Sequence, residues 1–120
     1  MFRFEKLDVW HRAVRHACNV YRITRDFPTD ERFGLTSQMC RASVSIAANI
    51  AEGSSRASDV DFARYVEIAY GSLMEVVSHA EIAKLQGYLT KEVYDGIYQE
   101  SDELARMLSG LRSSLLRKGG

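Results

Sequence analysis

The sequence predicts an all-α fold, an up-down-up-down antiparallel four-helix bundle in a single domain spanning residues 1–120. Three observations carry this expectation. Apolar residues recur at spacings of three and four through four separate segments, the period of a helix with a buried face. The segments are joined by only four to eight residues, which favours antiparallel neighbours. No stretch alternates apolar and polar residues as a half-buried strand would.

Helix 1 is expected over about 7–26, with Leu7, Trp10, Val14, Ala17 and Tyr21 as its core stripe. Arg12, Arg15, His16, Asn19 and Arg22 fall on the opposite face. Phe27-Pro28-Thr29-Asp30 ends it, because proline disfavours helical geometry in the residue before it. Helix 2 is expected over about 34–52, with Leu35, Met39, Ala42, Ile46 and Ile50 facing the core and Gly53 as its stop. Cys40, Val44, Ala47, Ala48 and Ala51 make this helix apolar on nearly three sides, more than one bundle core covers.

Helix 3 is expected over about 59–86, opened by a capping-box-like pair, Ser58 and Asp61, and stopped by Gly87. Phe62, Tyr65, Val66, Ala69, Leu73, Val76, Ala80 and Ala83 supply its core face. Helix 4 is expected over about 91–117 behind the N-cap Thr90. Val93, Ile97, Leu104, Leu108, Leu111 and Leu115 form its stripe, and Tyr94, Tyr98, Ala105 and Leu116 widen that stripe on one side.

Composition narrows the class. The chain has 46% hydrophobic residues and one proline, which excludes a disordered or low-complexity protein. No apolar run approaches the ~20 residues of a membrane span, and Met1-Phe2-Arg3-Phe4-Glu5-Lys6 lacks the apolar core of a signal peptide. A cytoplasmic protein with two reduced thiols, Cys18 and Cys40, is expected. Net charge is zero, yet unevenly spread. Residues 1–56 hold nine Lys/Arg against six Asp/Glu, residues 57–111 four against ten, and residues 112–120 three cations and no acid. A dedicated nucleic-acid binder is usually basic overall, so only a local patch remains for that role.

Several segments together resemble the four-helix-bundle family named after proteins encoded in intervening sequences of 23S rRNA genes. They are Phe4-Glu5-Lys6-Leu7-Asp8-Val9-Trp10, Phe27-Pro28, Phe33-Gly34-Leu35-Thr36-Ser37-Gln38 with Arg41, Ser45-Ile46, Asn49-Ile50-Ala51-Glu52-Gly53 with Arg56, and Gly71-Ser72 with Glu75. Ala47 stands where members of that family commonly carry proline, so the kink a proline promotes is not expected in helix 2. The resemblance implies a bundle that assembles into rings of five and for which no enzymatic activity is established. It also implies kinship in fold with the strongly basic accessory protein of diversity-generating retroelements, whose surface charge this neutral chain does not share.

Four constellations bear on function. Gln38, Ser45, Asn49 and Glu52 on helix 2 form a polar stripe that can face Glu67, Gly71 and Glu75 on helix 3. A hydrogen-bonded network fixing register or a subunit contact is its expected role, against a ligand or metal site or plain solvation. Gly71 inside a helix costs about 1 kcal/mol against alanine, which points to a close helix approach there. Arg12, Arg15 and Arg22 form the best nucleic-acid candidate, against simple solvated charge; repetition around a ring would strengthen it. Val44, Ala48, Tyr94, Tyr98 and Leu116 are the candidate oligomer contacts.

Catalytic, cofactor and metal residues are not expected. A di-metal bundle needs two Glu-x-x-His pairs, and the chain has none. Its nearest elements are one Asp8-Val9-Trp10-His11 and the pair Glu75 and His79. No Gly-x-Ser-x-Gly elbow is present, and Gly53-Ser54-Ser55-Arg56 lacks the phosphate-loop pattern. The leading reading is a non-enzymatic homo-oligomeric scaffold, a homopentamer by resemblance, whose partner is nucleic acid or a protein acting on it. Direct nucleic-acid binding through helix 1 is the second reading, and a small metal or enzymatic bundle the third.

Overall fold

The computed structural model describes residues 1–119. A 3-10 turn, Arg3–Lys6, leads into α1 (Asp8–Thr24), a second 3-10 turn (Thr29–Glu31) into α2 (Leu35–Ser54), and α3 (Asp59–Leu85) and α4 (Lys91–Gly119) follow. Among the described residues there is no strand, and no helix is long and apolar enough to cross a membrane. The fold is the all-α four-helix bundle that the periodicity predicts.

The helix ends follow from local chemistry. Ser58 Oγ accepts the Asp61 backbone N–H at 3.1 Å, and Thr90 Oγ1 accepts that of Val93 at 3.2 Å. Gly87, at φ +81°, closes α3: the Tyr88 N–H reaches Ala83 O and the Gly87 N–H reaches Lys84 O, the two bonds of a Schellman motif. At the start of α2 the cap comes from outside the helix. Glu31 Oε1 accepts the Leu35 N–H at 3.1 Å, and Oε2 accepts the Tyr88 hydroxyl at 3.0 Å. One carboxylate therefore ties the α1–α2 connection to the α3–α4 connection. Phe27 packs on Tyr88 beside it, ring centroids 5.5 Å apart.

α1 packs on α2 and α4, and α3 packs on α2 and α4, while the diagonal pairs stay out of backbone contact. The core is filled by Met39, Ala42, Ile46 and Ile50 of α2, by Phe62, Val66, Leu73 and Val76 of α3, and by Ile97, Leu104, Leu108 and Leu115 of α4. α2 runs as one helix through Ala47.

Two expectations are corrected. The residues of α1 that are buried are Val9, Ala13, His16, Val20 and Thr24, not the line Leu7, Trp10, Val14, Ala17 and Tyr21. Of that line Leu7 and Trp10 pack partly buried against the core, while Val14, Ala17 and Tyr21 line the α1–α2 edge, with Tyr21 half exposed. Small residues won the core because they let α1 sit close to its neighbours, and His16, expected outside, came in with them. Gly53 is not a helix stop. α2 continues through it to Ser54, and its backbone is not left-handed. It is a close-approach glycine: a Cβ there would stand 2.6 Å from Tyr65 Cβ and 2.8 Å from Phe62 Cδ1.

Candidate interaction surfaces

Because α1 and α3 are diagonal, the α1–α2 edge and the α3–α4 edge lie on opposite sides of the bundle. Each edge holds an open apolar groove. The first is lined by Val14, Ala17, Cys18 and Tyr21 of α1 and Val44 and Ala47 of α2, with Arg25 at its rim. The second is lined by Tyr70, Met74 and Val77 of α3 and Tyr98 and Ala105 of α4, with Asp102 at its rim. Tyr98 is 52% exposed and Val44 44%, so each groove keeps a large apolar side chain in contact with water. Ala48 is exposed one turn beyond Val44.

The other two contact candidates are more engaged within the chain. The Tyr94 hydroxyl donates to Glu81 at 3.1 Å, and Lys84 Nζ sits 4.0 Å from the centre of its ring. Burial and the Glu81 carboxylate together hold its phenol above the usual range. Leu116 packs against the core from the α4 end.

The polar stripe closes only in part. Asn49 Nδ2 donates to Ser45 Oγ at 2.9 Å and to Ser45 O at 2.8 Å, and Ser72 Oγ donates to Ser45 Oγ at 3.0 Å, which links α2 to α3. Ser72, on α3, is not among the residues the spacing places in the stripe; it stands in the sequence only as part of the Gly71-Ser72 segment of the resemblance. The other candidates do not join. Glu52 is exposed and pairs with Arg56 at 3.2 Å, and Glu67 pairs with Arg112 at 2.6 Å. Gln38 and Glu75 are exposed. Gly71 has no atom within 4 Å of a Cβ built on it, so no helix of its own chain approaches there.

The basic face of α1 is partly neutralised by α4. Arg12 bonds Glu103 at 2.5 Å, and Asn19 bonds Glu100 at 2.6 Å. Arg15 and Arg22 are exposed beside this pair and line a depression with Cys18 and Glu100. Burial raises the Glu100 carboxyl above its usual range, opposed by the Asn19 hydrogen bond and by Arg12 and Arg22.

Between these ion pairs, His16 Nε2 lies 3.0 Å from Ser101 Oγ, and Ser101 reaches the floor of the α3–α4 groove. A serine beside a neutral imidazole is half of a nucleophile and base. The other half is missing. His16 Nδ1 is buried with no partner to orient the ring, and Ser101 sits mid-helix, where backbone N–H groups are committed to the helix and supply no oxyanion hole. Among the described residues no three His, Cys, Asp or Glu side chains converge as metal ligands do.

The family model for 23S rRNA-intervening sequence proteins matches residues 5–110. The chain belongs to that family. The match takes in α1, α2 and α3 whole and most of α4, so both grooves lie within the 23S rRNA-intervening sequence domain. A solved structure shares the fold: a protein with unknown function from the S23 ribosomal protein family from Bacteroides thetaiotaomicron VPI-5482, at TM-score 0.81 and 24% identity, with 88% of this chain and 95% of that chain covered. No curated protein matches the chain. Neither the family nor this neighbour points to an enzyme class.

Proposed function

We propose that this 23S rRNA-intervening sequence protein is a non-enzymatic, cytoplasmic, homo-oligomeric scaffold. In this reading it forms a closed ring in which the α1–α2 groove of one copy receives the α3–α4 edge of the next. The observation that carries the reading is the pair of apolar grooves on opposite sides of one bundle. Different patches on opposite faces give a head-to-tail contact, and such a contact closes into a ring when the rotation per subunit allows. Charge supports it. The half of the chain that holds α1 and α2 carries a net +3 through residue 56, and residues 57–111 carry −6, so like ends repel and unlike ends attract. Five subunits is the number the family resemblance supplies. Both free thiols fit a reducing compartment.

Light scattering at micromolar concentration tests the reading. A mass near the 13.6 kDa of one chain overturns the oligomer; a dimer or tetramer overturns the fivefold ring. Tyr98→Glu places a charge in the α3–α4 groove and is expected to yield a folded monomer, helical by circular dichroism. As a ring the protein would present Arg15 and Arg22 five times over, and salt-dependent retention of RNA by the ring but not by the Tyr98→Glu monomer would make nucleic acid its partner.

A further inference from the structure

The segment that leads into α1 presents aromatic rings in a row. Phe2 stacks on Phe4 with centroids 5.9 Å apart and planes 6° from parallel, and Phe4 lies on Trp10 at 4.8 Å. Trp10 packs partly buried against the core, so the row is rooted in the bundle. Phe2, at its outer end, is 72% exposed, which leaves the ring face turned away from Phe4 open to water. The backbone beneath it is held. The Phe2 N–H donates to Glu5 Oε1 at 2.9 Å, the Phe2 carbonyl accepts the Glu5 N–H at 3.1 Å, and His11 Nε2 bonds Glu5 O at 2.7 Å.

Charge is polarised along the bundle in the same sense. With each helix divided at its middle, the half that holds Phe2 (residues 1–16, 45–73 and 105–120) carries ten Lys/Arg against six Asp/Glu. The other half carries six against ten. Arg3 and the exposed Lys6 flank the aromatic row, and Arg3 Nη1 reaches Ser54 O at 3.4 Å, which brings the α2–α3 connection beside it. The acids nearby are engaged: Asp59 lies 3.8 Å from Arg3, Glu52 pairs with Arg56 at 3.2 Å, and Glu5 is turned back onto the Phe2 N–H. Past Glu103, α4 brings four cations and no acid to this end of the molecule.

We propose that the Phe2–Phe4 stack is a base-stacking platform for single-stranded nucleic acid, with the phosphates held by the cations of this end. Every base has a π-face, and a base laid on Phe2 continues a stack that Phe4 already begins. A duplex keeps its base faces covered, so the single strand is the form that fits. The excess of cations supplies the sequence-independent attraction that a phosphate backbone needs. An anionic membrane draws on the same ingredients, but a ring held flat against a second ring suits a base, which covers one face, better than lipid, which surrounds a side chain. The surface is separate from the basic face of α1 that carries Arg15 and Arg22. One copy of the chain presents it whole, so it does not depend on the ring.

Fluorescence anisotropy with a labelled oligouridylate, titrated with the full chain, tests the platform. The wild type is expected to bind it, and less tightly as salt rises. Phe2→Ala is expected to bind about 5- to 150-fold more weakly, the range for one base stacked on one aromatic side chain, and Phe2→Tyr to stay close to the wild type. An abasic strand of the same length keeps the phosphates and has no base to stack, so the wild type and Phe2→Ala are expected to bind it equally. Absence of oligouridylate binding overturns the proposal, as does Phe2→Ala binding as tightly as the wild type. A loss that the abasic strand shares in equal proportion, which a change of fold or assembly would give, also overturns it. Vesicles of phosphatidylserine that take up the protein through Phe2 while the oligouridylate stays unbound assign the surface to a membrane and overturn it too.

Discussion

Two glycines provide a matched test of how the bundle is packed. Gly53 and Gly71 both lie inside helices, and each costs its helix about 1 kcal/mol relative to alanine. At Gly53 an added Cβ would stand 2.6 Å from Tyr65 Cβ. Carbon atoms rest at about 3.5–4.0 Å, so α2 and α3 would have to part by about 1 Å. Tyr65 Cβ is fixed to the α3 backbone and cannot swing aside, and Arg56 holds the ring from outside by stacking at 4.7 Å and by a bond to the hydroxyl. Overpacking of this kind costs about 1–3 kcal/mol, and contact with an immobile atom puts it near the upper end. After the helix-propensity gain, Gly53→Ala should lose about 2 kcal/mol. Gly71→Ala meets no atom and should gain about 0.5–1 kcal/mol. Urea unfolding of both variants is best run in the Tyr98→Glu background, the monomer that the proposed ring predicts, so that any self-association does not enter the stability. A Gly53→Ala chain as stable as its parent refutes the close-approach reading, and a Gly71→Ala chain less stable than its parent refutes the open position.

In the wild-type background, Val44→Glu and Tyr98→Glu each spoil one groove, and a head-to-tail ring predicts that each alone is monomeric and that mixing the two gives a heterodimer and nothing larger, measurable by light scattering; a contact that used the same patch on both subunits would leave the variant with that patch intact dimeric by itself. Glu31→Ala removes the cap of α2 and the acceptor of Tyr88 together, and loss of the cap is expected to cost about 1 kcal/mol in chemical denaturation. In the same variant the Tyr88 phenol, raised by its bond to Glu31, should titrate closer to its usual value in an ultraviolet pH titration. Global stability of the wild type should fall by about 3 kcal/mol more than that of His16→Gln between pH 6.5 and pH 4, because the folded ring resists the proton that the unfolded ring takes.

Most of the fold was legible because its signals are local. The α2 residues Met39, Ala42, Ile46 and Ile50 and the α3 residues Phe62, Val66, Ala69, Leu73 and Val76 are buried as their spacing predicts. Ser58, Gly87 and Thr90 act at helix ends through the chemistry their residue types carry. What was not legible depends on which element faces which. A glycine near a helix end reads equally as a stop or as a close approach, and only the position of Tyr65 decides for Gly53. Glu31 and Tyr88 are 57 residues apart, and neither belongs to a motif that announces the bond. His16 sits among Arg12, Arg15, Asn19 and Arg22, and its polar neighbours hid it because the seam it faces is itself polar.

The misplaced stripe of α1 carries an argument about assembly. This helix has two apolar lines about a quarter turn apart, one of small residues (Val9, Ala13, Val20) and one of larger ones (Trp10, Val14, Tyr21). Burial favours the larger line by area alone, at about 25 cal/mol per Å² of apolar surface. The bundle instead buries the smaller line fully, packs Trp10 partly buried against the core, and leaves Val14 and Tyr21 at the α1–α2 edge with Val44 and Ala47. Turning α1 to bury Tyr21 would push it away from α2 and α4 and carry His16 out of its buried position. A folded monomer had nothing to gain from bulky apolar residues at that edge. A chain that meets a second copy there does, since the same residues then lose their water at the contact. The apolar excess of α1, the exposed Val44 and the exposed Tyr98 on the opposite edge are thus three features that one contact between copies would account for together.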